Sequence, residues 1–139
     1  MQPDFSPHQY SLLIPKLPSE PEDSAGPVRV SIDYYIDPRD YAAFAKAVHQ
    51  LSDVRLRDGA IRWAVYQDAA DPSHINETFV TESWLEYLRQ RERFTAQDLQ
   101  IRDRVWSFHR GPEPPRISHM FYAKEVIDIS AKPAPSPTE

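Results

Sequence analysis

Five apolar side chains stand at every second position, Val28, Val30, Ile32, Tyr34 and Ile36, and alternate with Arg29, Ser31, Asp33 and Tyr35. Period two with β-branched residues marks a strand with one buried face, and it restricts the chain to folds in which a sheet covers a core. The period then changes. Asp37-Pro38-Arg39-Asp40 supplies a capping carboxylate, a proline for the first helical position and an early acid. Tyr41, Phe44, Val48 and Leu51, with Ala45 beside them, follow at helical spacing. Arg55 and Arg57 suit the negative end of that helix, and Gly59 suits a left-handed C-cap.

The same change of period occurs once more. Over residues 60–67, Ile61, Trp63 and Val65 oppose Arg62, Ala64 and Tyr66, which predicts a second strand. Asp68-Ala-Ala-Asp-Pro72 is turn chemistry, and Ile75 through Phe79 to Glu82 returns as a third strand, so the middle of the chain reads as a hairpin. Ser83 and Glu86 make a Ser-x-x-Glu capping box, which starts a helix at Trp84 and predicts burial of Trp84, Leu85 and Leu88. A break is expected near Phe94-Thr95, where Thr95 and Asp98 offer a fresh cap. Leu99, Ile101, Val105, Trp106 and Phe108 carry a second helical segment to the stop signals of His109-Arg110-Gly111-Pro112. A fourth strand follows, with Ile117, His119 and Phe121 opposed to Ser118, Met120 and Tyr122.

Strand, helix, strand, strand, helix, strand is the order of the ferredoxin-like split βαβ arrangement. The expectation is an α+β fold, βαββαβ, with an antiparallel four-stranded sheet and helices on one face. The other face would hold Tyr35, Tyr66, Val80 and either His119 with Phe121 or Met120 with Tyr122, which is too apolar to be left in water. A second copy is the expected cover, giving a homodimer whose two sheets form a dimeric α+β barrel. At roughly 25 cal/mol per Å² of apolar surface that contact is worth several kcal/mol before entropic losses. Pro3, Pro7, Pro15, Pro18, Pro21 and Pro27 make residues 1–27 a proline-rich linker, in which Leu12, Leu13 and Ile14 form an apolar patch suited to clip onto a domain surface. The domain itself is read over 28–127, with a disordered proline-rich tail over 128–139.

Composition removes several function classes. A net charge of -5 and a pI near 5.5 argue against nucleic acid as a partner. With no cysteine, disulfides and thiolate chemistry are excluded, and three glycines leave no room for a dinucleotide or phosphate loop. No apolar run approaches the roughly 18 residues of a membrane span, and no secretory signal opens the sequence, so a cytoplasmic domain is expected. His8, His49, His74, His109 and His119 show no pair at a spacing of three or four, so no helix-borne metal site is expected. Asn76 is a weak catalytic candidate, able to polarise an oxygenated substrate but, on a strand after a turn, better placed to bond backbone. Tyr35, Trp63, Tyr66 and His119 are the candidate ligand-binding residues, for a small aromatic ligand inside the barrel. Arg89, Arg91, Arg93, Arg102 and Arg104 read as a solvated face balanced by Glu86, Glu92, Asp98 and Asp103, although near a membrane they would meet anionic headgroups.

Several separated motifs agree in order with one family. Gly26-Pro-Val-Arg-Val-Ser-Ile-Asp-Tyr-Tyr-Ile-Asp-Pro38, Arg57-Asp-Gly-Ala-Ile-Arg-Trp63, Asp71-Pro72, Glu77-Thr-Phe-Val-Thr-Glu-Ser-Trp84 and His109-Arg-Gly-Pro-Glu-Pro-Pro-Arg-Ile-Ser-His119 resemble the soluble C-terminal domain of bacterial major facilitator superfamily exporters of the transmembrane secretion effector, or enterobactin-exporter-like, group. The match runs over about residues 26–122, and Pro3-Asp4-Phe5-Ser6-Pro7 looks like the linker after the last membrane helix there. That domain is similar to the antibiotic-biosynthesis-monooxygenase type of dimeric α+β barrel. The resemblance implies a cytosolic module of a small-molecule efflux transporter, at the inner face of the membrane, that senses a ligand or pairs subunits. The alternative it implies is a free-standing cofactor-independent monooxygenase acting on an aromatic substrate. Haem-degrading relatives of the barrel use a histidine of the second helix as iron ligand, and histidines often follow Glu-Ser-Trp in the transporter tails. Here Tyr87 and Arg91 stand at those positions, and a guanidinium has no lone pair for iron, so no cofactor is expected.

Overall fold

The computed structural model describes residues 17–124; the apolar clip at Leu12 to Ile14 and the tail over 128–139 lie outside them. The alternating stretch forms β1 (Val28–Tyr35), with Val28, Val30, Ile32 and Tyr34 buried. Asp37 accepts from Arg39 N and caps a 3-10 turn at Pro38–Asp40, which leads into α1 (Tyr41–Arg57). Gly59, at φ 122°, closes that helix, with Ala60 N reaching Arg55 O at 3.0 Å. The hairpin β2 (Arg62–Gln67) and β3 (His74–Thr81) follows, then α2 (Trp84–Arg93), α3 (Ala96–Trp106) and β4 (Arg116–Phe121).

The sheet order is β2-β3-β1-β4, every pair antiparallel. This is the ferredoxin-like α+β fold expected, with the second helical region split in two. The split has a local cause. Thr95 and Asp98 form a reciprocal capping box, Asp98 N donating to Thr95 Oγ1 at 3.1 Å and Thr95 N to Asp98 Oδ2 at 2.9 Å. At α2 the box is half made: Ser83 accepts from Glu86 N, while the Glu86 carboxylate pairs with Arg89 and Arg93. The core lies between the sheet and the helices, around Phe44, Val48, Leu51, Phe79, Trp84 and Val105.

Two expectations need correction. Helix α2 is rotated so that Tyr87 and Gln90 are buried with Trp84, while Leu85 and Leu88 are only half-buried. Residues 17–27, read as linker, pack on the domain: Ala25 O and Asp23 O accept from Trp84 N (2.7 Å) and Leu85 N (3.0 Å), and Leu17 rests on the core. Those carbonyls satisfy donors that α2 cannot pair internally.

Candidate functional site

Strand parity decides which residues can meet. Val80 pairs with Arg29 and Arg62, Thr78 with Ser31 and Ala64, and Asn76 with Asp33 and Tyr66, so these share the open face. Ser118 and Met120 join them through Ser31 and Arg29. Tyr35, Tyr66 and Asn76 therefore lie on the open face, whereas Trp63 and His119 lie on the helix side. The five candidates do not form one site. For β4 the sequence left two parities open, and the register Ile32 to Ile117 selects the one that turns Met120 outward and His119 inward.

The open face is less apolar than expected. Tyr35, Tyr66, Met120 and Tyr122 are exposed, but between them runs a polar chain. Ser31 Oγ and Thr78 Oγ1 lie 3.3 Å apart, Thr78 Oγ1 donates to Asn76 Oδ1 at 2.5 Å, and Asn76 Nδ2 donates to Asp33 Oδ1 at 2.9 Å. His74 Nε2 reaches the same Asp33 oxygen at 2.8 Å, and its Nδ1 reaches Asp68 Oδ2 at 2.9 Å, under a stacked Tyr35 ring. The two carboxylates, Asp68 foremost, raise the His74 pKa, and His74 lowers that of Asp68. Asn76 is thus held by Asp33 and Thr78. A concavity of about 700 Å³ lies over this face, between Arg29, Arg62, Tyr66 and Val80.

On the helix side the organising group is Glu77, fully buried in β3 between Ile75 and Phe79. Its carboxylate accepts from Tyr34 Oη at 2.8 Å, Arg55 Nε at 3.1 Å and Trp63 Nε1 at 2.9 Å. Trp63 is therefore anchored rather than presented to a ligand. Burial, then the Glu77 charge, pushes the Tyr34 phenol well above its ordinary pKa, so it stays a donor.

Beside that anchor a cavity opens between the sheet and all three helices. Val30, Ile32, Phe79 and Ile117 form its floor, and Arg55, Asp58, Tyr87, Gln90, Arg91, Arg102 and Trp106 supply its polar groups. About 40 Å³ is open to the centres of water-sized molecules. The Arg102 guanidinium lies over the Trp106 ring at 4.1 Å and pairs with the exposed Asp103 at 3.0 Å. Its Nε is buried without an acceptor. The Trp106 N–H is turned toward the Tyr34 hydroxyl, and its donation there works against the rise in the phenol's pKa. Asp58 Oδ1 accepts from Arg57 at 2.9 Å while Oδ2 is unpaired, and burial raises the Asp58 pKa. Tyr87 Oη and His119 Nε2 stand 2.8 Å apart above the same strands; burial, then the Arg91 charge, lowers the His119 pKa.

Sequence reasoning missed this cavity because it read Arg91 and Arg102 as a solvated face. One signal was available: Glu77 stands at an inward parity between two buried apolar residues, where a charge requires partners. His49 is exposed beside Trp63, and His109 accepts from Tyr35 N at 3.0 Å, a structural role. Among the described residues no cluster of three or more His, Asp or Glu is arranged to hold a metal ion, and no helix is long and apolar enough to cross a membrane.

Fold and cavity together define a ferredoxin-like α+β domain with a pocket between its sheet and its helices, and solved structures share this architecture. A candidate antibiotic biosynthesis monooxygenase from Caulobacter crescentus matches with a TM-score of 0.59 and 13% identity, covering 84% of this chain and 99% of that one. One from Nitrosomonas europaea matches at 0.57 and 21%, covering 71% and 93%. A dimeric ferredoxin-like protein from an uncultured marine organism matches at 0.54 and 15%, covering 73% and 91%. Among curated proteins, none matches. The family is shown by sequence: residues 5–126 match the transmembrane secretion effector family, and the chain belongs to it.

Proposed function

We propose that this chain is a cytosolic accessory domain of a small-molecule efflux transporter, pairing through its open sheet face and sensing a ligand in the cavity beneath its helices. The observation that carries the reading is the joint one: an exporter-type family match over residues 5–126, and a cavity beneath the helices beside which the buried Arg102 Nε has no acceptor. A buried donor without an acceptor costs about 1–3 kcal/mol, so a bound acceptor is stabilising there. Pairing is supported by the exposed Tyr66, Met120 and Tyr122 and by the dimeric ferredoxin-like neighbour. The test is an antiserum raised against this chain and applied to fractionated native cells. A membrane-embedded polypeptide much larger than 16.1 kDa supports the transporter reading, and a free 16.1 kDa species in the soluble fraction overturns it. Sedimentation of Met120→Glu checks the pairing: the charge on the open face is expected to leave a monomer, and an unchanged dimer moves the contact elsewhere.

A second reading is a cofactor-independent monooxygenase for an aromatic substrate, favoured by the fold shared with structures described as antibiotic biosynthesis monooxygenases and by the Phe79, Tyr87 and Trp106 rings around the cavity. Oxygen uptake with a panel of phenols tests it. Because Asn76 lies on the open face and Trp63 is tied to Glu77, turnover abolished by Trp106→Phe but kept in Asn76→Ala is the pattern expected of it.

A further inference from the structure

We infer that the groove at the Val28 end of the open sheet face seats this chain's own residues 125–129, Glu-Val-Ile-Asp-Ile, folded back from the end of β4. The inference goes beyond the function proposed above: it concerns neither the cavity beneath the helices nor attachment to a transporter.

Four observations select that occupant. First, the groove is apolar with a single cation. Pro27, Val80, Met120, Phe121 and Tyr122 line it beside Arg29, and it measures about 340 Å³. Met120 and Tyr122 are 53% and 68% exposed, which is apolar surface that gains from a cover. Second, Arg29 is exposed; its guanidinium donates to Met120 Sδ at 3.3 Å, and among the described residues it forms no ion pair. Third, residues 125–129 answer both properties. Extended, they send side chains alternately to two sides. One side carries Glu125, Ile127 and Ile129 and the other Val126 and Asp128, so whichever meets the sheet brings one carboxylate with one or two β-branched apolar groups. The apolar stretch near the other end, Leu12-Leu13-Ile14, lies in residues 5–19, which hold no acid, and it precedes Leu17, which rests on the core. Fourth, the exit is well placed. Tyr122, itself in the lining, donates its N–H to Pro27 O at 2.8 Å, and the backbone bends at Lys124. Val80 on β3 lies two strands from β4, about 10 Å across at about 4.8 Å per strand. The chain from Tyr122 to Ile127 reaches up to about 17 Å, which leaves length for a turn.

Seated this way, Val126 or Ile127 covers Val80 and Met120, and Asp128 or Glu125 meets the Arg29 guanidinium. Burial of the branched groups supplies most of the attraction, while the exposed ion pair adds little energy and favours this segment over an uncharged one. Tyr35 and Tyr66, at the other end of the face, stay open to a second copy, so the seat and the pairing proposed above coexist.

The chain has no cysteine, so an engineered pair reports this contact without competing thiols. The test is the oxidation rate of the full chain carrying Val80→Cys together with Val126→Cys or with Ile127→Cys, against Val80→Cys with Ala134→Cys, which lies on the same tail beyond the segment. Expected is a disulfide within one chain, separated from linked dimers by non-reducing electrophoresis. For at least one of the first two pairs it should form about tenfold or more faster than in the control, because docking raises the effective concentration above that of a tethered coil. Glu125→Gln combined with Asp128→Asn is expected to slow it about two- to fivefold. Met120→Cys, at an exposed position of the same groove, takes the place of Val80→Cys should that variant fail to fold. Equal rates at all three tail positions overturn the inference. A bond formed only between chains assigns the groove to a second copy's tail and overturns it as well, and a rate unchanged without the two acids overturns the charge match that selects this segment. The membrane fractionation described above is unaffected by any of these outcomes, so the two readings fail separately.

Discussion

Replacing Glu77 by alanine is the sharpest test of how this domain is held together. The carboxylate is fully buried and accepts from the Tyr34 hydroxyl, the Arg55 guanidinium and the Trp63 indole, each within 3.1 Å. Its removal takes a shared acceptor from three donors on β1, α1 and β2, one of them a cation whose side chain is only 12% exposed. Breaking a buried pair by deleting one partner costs about 3–5 kcal/mol, most of it the stranded charge. For a domain of this size that corresponds to a fall in Tm of roughly 12–20 °C, at about 4 °C per kcal/mol. Urea unfolding followed by tryptophan fluorescence measures it, with an unchanged m-value confirming that the loss is in stability rather than in a changed denatured state. The reasoning makes an asymmetric claim that a simple contact count does not. Because the desolvation cost of a buried pair rivals its attraction, replacing the members together by apolar groups of similar shape is nearly neutral. Tyr34→Phe, Arg55→Met and Glu77→Leu combined are therefore expected to recover much of what Glu77→Ala loses, leaving the Trp63 and Trp106 N–H groups unsatisfied. A loss below about 1 kcal/mol for Glu77→Ala, or a triple variant no more stable than the single one, refutes the account of Glu77 as a stranding point.

Three further predictions rest on the same geometry. Asp68 and Asp33 raise the folded-state pKa of His74 above its unfolded value near 6.5, so the stability from this clamp is full below about pH 6.5 and lost as pH rises through the raised value; His74→Asn should cost most at the acid end of a pH series of thermal melts. His119 has the opposite sign: burial and Arg91 lower its folded pKa, so its contribution is full above about 6.5 and lost as pH falls toward the lowered value, and His119→Gln should flatten that acid loss in the same series while keeping an acceptor for Tyr87. Thr95→Ala removes half of the capping box that starts α3 and should cost about 1 kcal/mol in urea unfolding.

The elements of this fold were legible wherever the signal was local. The alternation through β1, the Asp37 and Thr95 caps and the Gly59 stop each depend on residues within a turn or two of themselves, and the structure uses them as read. The rotation of α2 was not legible, because Leu85 and Leu88 match a helical stripe as well as Trp84, Tyr87 and Gln90 do; packing against β4, where Tyr87 meets His119, makes the choice. The parity of β4 was open for a related reason: both of its faces are apolar enough to be inward, and only pairing with β1 separates them. Arginine direction was the least legible feature. Long stems let Arg55 and Arg102 fold over Phe79 and Trp106, and a charge count along the helix does not register that.

The open face, finally, constrains how two copies can meet. A protein interface ordinarily has an apolar centre and a polar rim, and this face is arranged the other way, with Ser31, Thr78, Asn76 and Asp33 in the middle and Tyr35, Tyr66, Met120 and Tyr122 around them. The central groups already satisfy one another, so covering them need not strand donors, but they offer little attraction of their own. In the pairing proposed above, affinity therefore comes from the aromatic rim, and the concavity between Arg29, Arg62 and Tyr66 is enclosed rather than filled. Strand β3 links this interior to the cavity beneath the helices, since Asn76 and Thr78 face one and Glu77 and Phe79 brace the other. A ligand that steadies Phe79 and Arg55 thereby steadies the same strand that presents the pairing face, and a partner on that face returns the favour by thermodynamic reciprocity.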